Sequence, residues 1–287
     1  MRLAYVTAGD VGAGHLARGV AIKRALARRG YAGELAMLGP ALPYPAASAR
    51  REYRAVRIAR EELEDPLRAK DSALAHALAE LRPELLLVDL FWAPLRYVLP
   101  LPGCEAWLLA RICPPPWFAG PPKAPFEPAH YARVIGIEPD AHPAVREHIE
   151  PIVIANPDER RPRGALRARL GLAEGEPLHA VVHAGARGER EELERDARAR
   201  HPAPRVLDLF EASALFPLAE WLSDVDSLTA AAGYNTYWEA KWLGYADRAR
   251  FRSFPRRIDA QAKRVATGSS HVMRENGADV LARWIAP

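Results

Sequence analysis

A glycine-rich segment, residues 9–15, separates the short apolar run 3–8 from an amphipathic pattern that begins at His15. Glycines let a ligand approach the backbone closely, and the free amides at a helix start attract a phosphate or another anion. The positive end of the helix dipole favours a neutral imidazole, so His15 is predicted to act as a proton acceptor at pH 7. A hydrogen-bonding role at the helix start is the alternative. The spacing is not the Gly-x-Gly-x-x-Gly of dinucleotide-binding proteins and does not indicate NAD.

A second candidate site follows the small apolar run that ends at Ala232. Gly233 turns the chain into a predicted helix, where Asn235 and Thr236 can cap a helix start whose free amides offer another anion site. One turn further on, Glu239 presents a carboxylate that can accept two hydroxyl hydrogen bonds, as recognition of a ribose requires. A capping box at an ordinary helix start is the alternative.

Neither a metal ion nor a cofactor is predicted. Asp224 and Asp226 form an Asp-x-Asp pair of a kind that can bind metals, but they lie at a predicted helix-to-strand junction, where acidic residues cap the backbone. Cys104 and Cys113 have no His or Cys partners at metal-ligand spacing, so we expect buried, reduced thiols. The sequence contains neither a P-loop nor a zinc pattern.

The elements that position these segments follow a β-α-β rhythm, in which short apolar runs alternate with longer helical patterns. The first helix is predicted over His15–Arg29, with Gly30 as its left-handed stop. Helices are also expected across residues 50–81. The predicted strands are residues 3–8, 34–38, 85–91, 106–110, 134–137, 179–184, 205–210, 227–232 and 248–254. This pattern predicts an α/β protein with parallel sheets.

The length and one interruption of the rhythm predict two domains. The chain has 287 residues, roughly twice the size of a usual single domain. Residues 152–162 are rich in proline and charge and are predicted to form a linker. We therefore expect an N-terminal domain over 1–155 and a C-terminal domain over 156–287. A helix near 270–284 is a candidate to return to the first domain.

The charge pattern excludes some partners. Lys and Arg total 40 and Asp and Glu total 36, and the net charge of +4 is too mixed for a nucleic-acid binder. It suits an anionic small substrate or a lipid surface. A predicted basic helix over residues 50–60, with arginines at 50, 54, 57 and 60, could meet an anionic acceptor or lipid headgroups. A solvated helix face is the alternative.

No targeting signal or membrane span is predicted. The apolar run after Met1 is too short for a signal-peptide core, and no stretch supplies the about 20 apolar residues that span a bilayer. We expect a cytoplasmic protein that is at most peripheral to the inner membrane face. The Pro-rich stretch 113–128 is predicted to be a loop, with Trp117 and Phe118 on an acceptor or lipid-facing surface or simply wrapping the domain.

The two glycine-containing segments, in this order on either side of the linker, resemble the two-domain GT-B nucleotide-sugar glycosyltransferases, especially the family 28 group with the peptidoglycan N-acetylglucosaminyl transferase. The sequence of residues 12–18, Gly-Ala-Gly-His-Leu-Ala-Arg, is also similar to the Gly-x-Gly-His-x-x-Arg segment of related predicted glycosyltransferases and of a nucleotide-sugar hydrolase of nonulosonate synthesis. The resemblance covers residues 1–30 and 205–266.

The resemblance implies two Rossmann-like domains that face each other across a cleft. A sugar would move from a nucleotide diphosphate donor, UDP-linked, to an acceptor hydroxyl, with inversion, without an essential metal and with His15 as the base. Glu239 would hold the ribose, residues 259–261 would reach the donor sugar, and Arg256 would lie near the diphosphate. The implied donor- and phosphate-binding residues are Gly12, Gly14, Arg18, Gly185, Gly188, Gly233, Tyr234, Asn235, Thr236, Glu239, Arg257, Asp259 and Gln261.

Two other functions stay open. In a nucleotide-sugar hydrolase of the same fold, water replaces the acceptor and His15 activates it. A catalytically silent binding protein is the other alternative, because arginines alternate along the predicted strand 248–254, where the resembling families have an apolar buried strand. Such a strand must lie at a sheet edge, be displaced or pair with anions.

Overall fold

The computed structural model of the chain describes residues 1–8, 14–41, 53–120, 125–142, 145–183, 185–201, 203–207 and 215–287. Within these residues the strands form two separate sheets, and each strand pair is parallel. The alternation of apolar runs and helical patterns therefore predicts the fold class correctly. A domain boundary near residue 156 stays a prediction.

The first sheet has seven strands in the order β3-β2-β1-β4-β5-β6-β7. The strand order reverses between β1 and β4, so the connections after these strands leave in opposite directions and open a crevice at their carboxyl ends. The strands are β1 (Leu3–Val6), β2 (Leu35–Gly39), β3 (Tyr53–Ala55), β4 (Leu85–Asp89), β5 (Glu105–Ala110), β6 (Arg133–Gly136) and β7 (Glu147–His148).

The second sheet has four strands in the order β11-β10-β8-β9. Its order reverses between β8 and β10, which creates a second crevice at the carboxyl ends of these two strands. The strands are β8 (His179–Val182), β9 (Arg205–Leu207), β10 (Ser227–Ala231) and β11 (Ala249–Arg252).

Helices connect the strands and cover the sheets. They are α1 (Gly14–Arg28), α2 (Arg60–Leu63), α3 (Pro66–Ala69), α4 (Ala73–Leu81), α5 (Pro116–Ala119), α6 (Ala165–Leu170), α7 (Arg187–Arg198), α8 (Tyr234–Trp242), α9 (Gln261–Gly268) and α10 (Gly277–Ile285). The first helix agrees with its prediction to within one residue at each end. Gly30 has a φ of 74°, which confirms the left-handed stop.

The predicted basic helix over residues 50–60 is wrong. Residues Tyr53–Ala55 form β3, in which Tyr53 pairs with Met37 of β2 and donates its hydroxyl hydrogen to Pro40 O over 2.7 Å. Strand pairing has overridden the helical spacing of the arginines. Arg54 instead pairs with Glu80, and Arg57 with Glu62. Position 50 lies outside the described residues.

The arginine-rich strand β11 lies at the edge of its sheet. Its arginines are exposed, and Arg252 pairs with Glu192 of α7 over 2.6 Å. The edge position and the pairing with an anion, both anticipated from the sequence, explain how arginines are tolerated there.

The C-terminal helix α10 packs on α1 of the first half, as the sequence suggests. Leu281 is fully buried, Arg28 of α1 pairs with Asp279, and Arg29 donates to Ala286 O over 2.9 Å. Through these contacts the C-terminal helix, which follows the second sheet in the chain, packs against the helix that covers the first sheet. Among the described residues, no helix is both long and apolar enough to cross a membrane.

Candidate active site

A cleft of about 910 Å³ lies where the carboxyl ends of the two sheets face each other. Residues that follow strands β1, β4 and β5 line one side, and residues that follow β8 and β10 line the other. Both strand-order reversals therefore open into the same space, which is where open parallel sheets bind ligands.

His15, in the first turn of α1, contacts Asp89 at the end of β4. His15 Nδ1 lies 2.7 Å from Asp89 Oδ2, although the two residues are 74 positions apart. The sheet places β4 beside β1, and α1 follows β1, so the two side chains meet at the crevice. The Tyr5 hydroxyl also donates to Asp89 Oδ2 and lies 2.7 Å from His15 O.

Burial and charge set the protonation of this pair. Burial alone would raise the pKa of Asp89, but Arg18 and His15 hold it well below its usual value. Burial lowers the pKa of His15 to about 4, although the Asp89 carboxylate acts in the opposite direction. The Asp89 carboxylate, which only accepts hydrogen bonds, favours a hydrogen on His15 Nδ1 and thus Nε2 as the proton acceptor, whereas the Arg18 guanidinium, 2.8 Å from Nδ1, favours the opposite tautomer. His15 lines the cleft.

Arg18 is fully buried and binds within the protein. Its Nε and one terminal nitrogen donate to Asp89, and that nitrogen also lies 2.8 Å from His15 Nδ1. The other terminal nitrogen donates to Asn235 Oδ1 over 3.1 Å. In this arrangement Arg18 positions the histidine–aspartate pair, and it also lines the cleft. Its predicted role in binding phosphate stays a prediction.

The start of α8 contacts the start of α1 at the cleft. The Asn235 side chain of α8 donates from Nδ2 to Gly14 O of α1 over 3.0 Å. The Tyr234 hydroxyl donates to Ile137 O and accepts from Ile152 N, both at 2.8 Å. Gly233, Asn235 and Thr236 line the cleft beside these contacts. A Cβ at Gly233 would meet no other atom within 4 Å, which leaves the backbone open to a ligand.

Glu239 lies one turn further along α8 and lines the cleft. Its side chain makes no hydrogen bond or ion pair with any residue that the structure describes. Burial raises the pKa of Glu239 to about 7. An unpaired, desolvated carboxyl group in a cleft is suited to take hydroxyl groups of a ligand.

Asp259 and Gln261 line the cleft but are already bound internally. The Arg264 guanidinium donates to Asp259, and Gln261 Oε1 accepts from Phe254 N over 2.9 Å. Arg264 also donates to Glu138, 2.7 Å away, in a fully buried ion pair. Arg111 lies 3.8 Å from Asp259 and adds a positive charge that helps to keep the pKa of this carboxyl low.

The predicted phosphate-binding residues of the second half are brought together only in part. Gly185 and Arg257 line the cleft, whereas Gly188 lies inside α7 and away from the cleft lining. Arg256 lines the cleft, and its guanidinium forms an ion pair with the Glu189 carboxylate. His183 Nε2 lies 2.9 Å from the same carboxylate. Gly12, in the glycine-rich segment, lies outside the described residues.

An aromatic wall extends from His15 along the first half of the cleft. The ring of Phe91 is 4.9 Å from His15, and Trp117 lies 5.6 Å beyond Phe91, with Trp92 6.3 Å from Trp117. The indole nitrogens of both tryptophans are buried without a hydrogen-bond partner in the described part of the chain. Residues Pro116–Ala119 form the short helix α5 where a loop was predicted, because proline is tolerated in a first helical turn.

Three residues that complete the site, Tyr5, Asp89 and Arg111, were not predicted from the sequence. Asp89 and Arg111 each stand at the carboxyl end of an apolar strand, a position where functional side chains collect in parallel sheets. That signal was present in the sequence. Tyr5, by contrast, is an inward-facing strand residue without any local mark of function.

Asp224 has the capping role that the sequence predicts. It accepts from Leu166 N over 2.7 Å and from Gly164 N at the start of α6. Asp226 pairs with Arg167 over 2.7 Å. Within the described ranges, no group of three or more His, Cys, Asp or Glu side chains is arranged to hold a metal ion.

No family model and no curated protein matches the chain. Among solved structures, the spinosyn forosaminyltransferase SpnP has a TM-score of 0.62 at 15% identity, over 99% of this chain and 90% of that one. The spinosyn rhamnosyltransferase SpnG, complexed with thymidine diphosphate, has a TM-score of 0.54 at 16% identity, over 99% and 88%. UGT2 of Phytolacca americana, complexed with UDP-2-fluoroglucose and pterostilbene, has a TM-score of 0.51 at 13% identity, over 99% and 89%.

These similarities extend over almost the whole chain and include both sheets. They support the GT-B architecture in general and not the family 28 group in particular. Two parallel sheets that meet at a shared cleft, together with these structural neighbours, identify the fold of the chain as that of the GT-B glycosyltransferases.

Proposed function

We propose that the protein transfers a sugar from a nucleoside diphosphate donor to an acceptor hydroxyl. The observation that carries this proposal is the pairing of His15 with Asp89 on one side of the cleft, opposite the open helix start at Gly233. A neutral histidine held by a carboxylate is a general base, and a helix start is an anion site. In the proposed transfer, the base would take the proton of the acceptor hydroxyl, and the anion site would bind the departing diphosphate.

In the proposed reaction, the acceptor oxygen attacks the anomeric carbon of the donor sugar. The bond from that carbon to the diphosphate oxygen breaks, so a single displacement inverts the configuration. The acceptor proton moves to His15 Nε2 and then to solvent, and Asp89 stabilises the imidazolium that forms in between. The start of α8 and Arg257 stabilise the departing diphosphate, so the proposal does not require a divalent cation.

The donor nucleotide is proposed to bind in the second half of the cleft. Glu239 would accept two hydrogen bonds from the ribose hydroxyls, and the amides after Gly233 would bind the diphosphate. UDP is the proposed nucleotide. Two structural neighbours carry pyrimidine nucleotides, thymidine diphosphate in SpnG and a UDP-sugar in UGT2, which supports a donor of this class.

The acceptor is proposed to lie against the aromatic wall. Phe91 stands next to His15, so a ring stacked on this wall would bring a hydroxyl substituent to the base. A wall of aromatic rings beside the base offers a surface on which an acceptor ring can stack, and this supports transfer over hydrolysis. A rigid acceptor with hydroxyl groups on flat rings is the class that fits.

The test is titration calorimetry with UDP, GDP and dTDP, followed by assays of UDP release and product formation with phenolic acceptors. We expect micromolar binding of UDP, and a glycosylated product that still forms in EDTA. In His15→Gln the kcat should fall by about 10²–10⁴ with unchanged UDP affinity, because only the base is lost. His76→Gln, which alters an exposed histidine of α4, should leave both unchanged.

Three outcomes would count against the proposal. Wild-type turnover in His15→Gln would exclude this residue as the base. Release of free sugar alone, with every acceptor, would favour the hydrolase. Failure of all three nucleotides to bind would leave a silent relative of the fold.

A further inference from the structure

A second cavity, of about 470 Å³, lies near the amino ends of strands of the second sheet, at the other end of these strands from the cleft. It is formed by residues 157–163 of the connecting segment, residues 223–226 and residues 245–248. The last two segments lead into the amino ends of β10 and β11, whereas the cleft lies at the carboxyl ends of the strands. The two cavities are therefore separate sites on the sheet.

Four arginines line this second cavity: Arg160, Arg161, Arg163 and Arg248. A carboxylate, that of Asp226, also lines it, but it pairs with Arg167 over 2.7 Å and accepts from Leu178 N over 2.7 Å. Its charge is therefore largely offset before any ligand arrives. We call this cavity the arginine pocket.

Three of these four arginines are not paired with a carboxylate that the structure describes. In the described part of the chain, Arg160, Arg163 and Arg248 have no carboxylate within 4 Å, and Arg161 shares Glu220 with Arg24. Elsewhere some exposed arginines pair with carboxylates, such as Arg187 with Glu191 and Arg283 with Glu275, and others, such as Arg146 and Arg274, do not pair with one among the described residues. In the arginine pocket, three arginines without a described carboxylate partner line one cavity together with Arg161, so their positive charges point into a shared concave space.

The protein orients three of these side chains through a backbone carbonyl or an aromatic ring, neither of which carries a charge. Arg160 Nε donates to Pro157 O over 2.8 Å. Arg161 lies over the ring of Trp221, 4.3 Å from its centroid, and Arg248 lies over Tyr245 at 6.0 Å. Backbone and ring contacts orient a guanidinium and leave its other donors available, which is a favourable preparation for binding an anion.

We propose that the arginine pocket binds a ligand with two or more phosphate charges. Guanidinium groups bind phosphate oxygens in pairs, and four of them around one concavity match several oxygens at once. A pocket of about 470 Å³ has room for a chain of phosphates or a phosphorylated headgroup. The ligand's charge would also relieve the mutual repulsion of the four arginines. This site does not depend on the function proposed for the cleft.

The test follows the Trp221 indole resonance of ¹⁵N-labelled protein, assigned with Trp221→Phe, during titration with tripolyphosphate in 50 mM NaCl. We expect the resonance to shift with a submillimolar Kd and the Kd to rise at least tenfold in Arg163→Ala/Arg248→Ala. Both residues are exposed and carry no ion pair, so this variant should fold. The matched control, Arg187→Ala/Arg283→Ala, removes two exposed arginines elsewhere and should bind like the wild type.

A second arm distinguishes the source of the phosphate. Sedimentation with vesicles of phosphatidylcholine containing cardiolipin, whose headgroup carries two phosphates, compared with phosphatidylcholine alone, tests for a lipid headgroup, with the same two variants as controls. Binding in either arm that is lost with Arg163 and Arg248 supports a phosphate site and identifies its ligand as soluble or lipid. The proposal is overturned if both arms show no binding, or if the pocket variant and the control bind equally well.

Discussion

At the scale of single residues, burial decides how the cleft side chains are protonated. His15 is kept neutral by its low pKa, and Asp89 is kept charged by Arg18 and His15. Glu239 is the opposite case, because no described partner offsets its burial and its pKa rises to about 7. The folded protein therefore holds a carboxyl group that is costly to ionise, as is common where a ligand supplies the missing partners.

Because ionisation of the buried Glu239 carboxyl costs free energy, we expect Glu239→Gln to change the pH dependence of stability. The unfolded carboxyl loses its proton near pH 4.5 and the folded one near pH 7, so the wild type loses stability as pH rises between these values. At pH 8 the variant should be more stable than the wild type by about 1–3 kcal/mol, with the difference vanishing towards pH 4. Urea denaturation across this range measures it.

The same substitution should weaken UDP binding at pH 8, because Gln cannot accept two ribose hydrogen bonds as a carboxylate does. Glu174→Gln, an exposed control, should change neither stability nor affinity. If Glu239→Gln gave no stability gain at pH 8, the carboxyl would not be desolvated as the structure indicates. A gain in stability with unchanged UDP affinity would remove Glu239 from the donor site and leave the burial argument intact.

At the scale of elements, α7 brings a negative charge to the place where a phosphate is expected. Glu189, in its first turn, binds Arg256 and lies against His183, and both of these residues line the cleft. Arg256 holds the pKa of Glu189 below its usual value, although burial acts in the opposite direction. A carboxylate bound by an arginine at a helix start resembles a bound phosphate.

We therefore expect Glu189 to compete with the donor diphosphate for Arg256. Glu189→Gln should lower the Kd of UDP about 3- to 10-fold, because removing the ion pair releases about 1 kcal/mol of interaction for the ligand. Calorimetry measures the change. Glu191→Gln, which breaks the exposed pair with Arg187 on the same helix, is the control and should bind UDP like the wild type. Weaker or equal binding in Glu189→Gln would show that this carboxylate does not occupy the phosphate position.

At the scale of the whole molecule, the chain end holds the two halves together. Helix α10 packs against α1, the helix that carries His15, and Asn276 at its start donates to Val153 O and Asn156 Oδ1. The cleft depends on these contacts, because the base lies in one half and the proposed donor site in the other. The geometry of the site is thus a property of the assembled molecule.

Leu281→Ala tests this fastening. Leu281 is fully buried in α10, and loss of its side chain should lower the free energy of unfolding by about 2–4 kcal/mol. Arg283→Ala, on the exposed side of the same helix, should stay within about 0.5 kcal/mol of the wild type. Denaturation in urea measures both. Equal stabilities of the two variants would show that α10 is not a structural part of the core.

The sequence alone determined those features that depend on patterns over a few neighbouring residues. Apolar runs and helical spacing identified the parallel α/β fold, the position of His15 at the start of α1, and the segment from Gly233 to Glu239 at the start of α8. Where tertiary pairing competed with local spacing, as in β3, the sequence prediction was wrong. For β11 the alternating arginines left an edge position, a displacement or a pairing with anions open, and the structure shows the edge position and the pairing.

Only the tertiary structure decided which of these residues meet. Asp89 reaches His15 because β4 lies beside β1, and strand order leaves no trace in the spacing of residues along the chain. Arg18 binds Asp89 and Asn235, and Arg256 binds Glu189, through contacts that span up to 217 positions. Local sequence reflects backbone preference and burial over a few residues, whereas charge pairing and protonation in the cleft depend on neighbours that only the folded chain supplies.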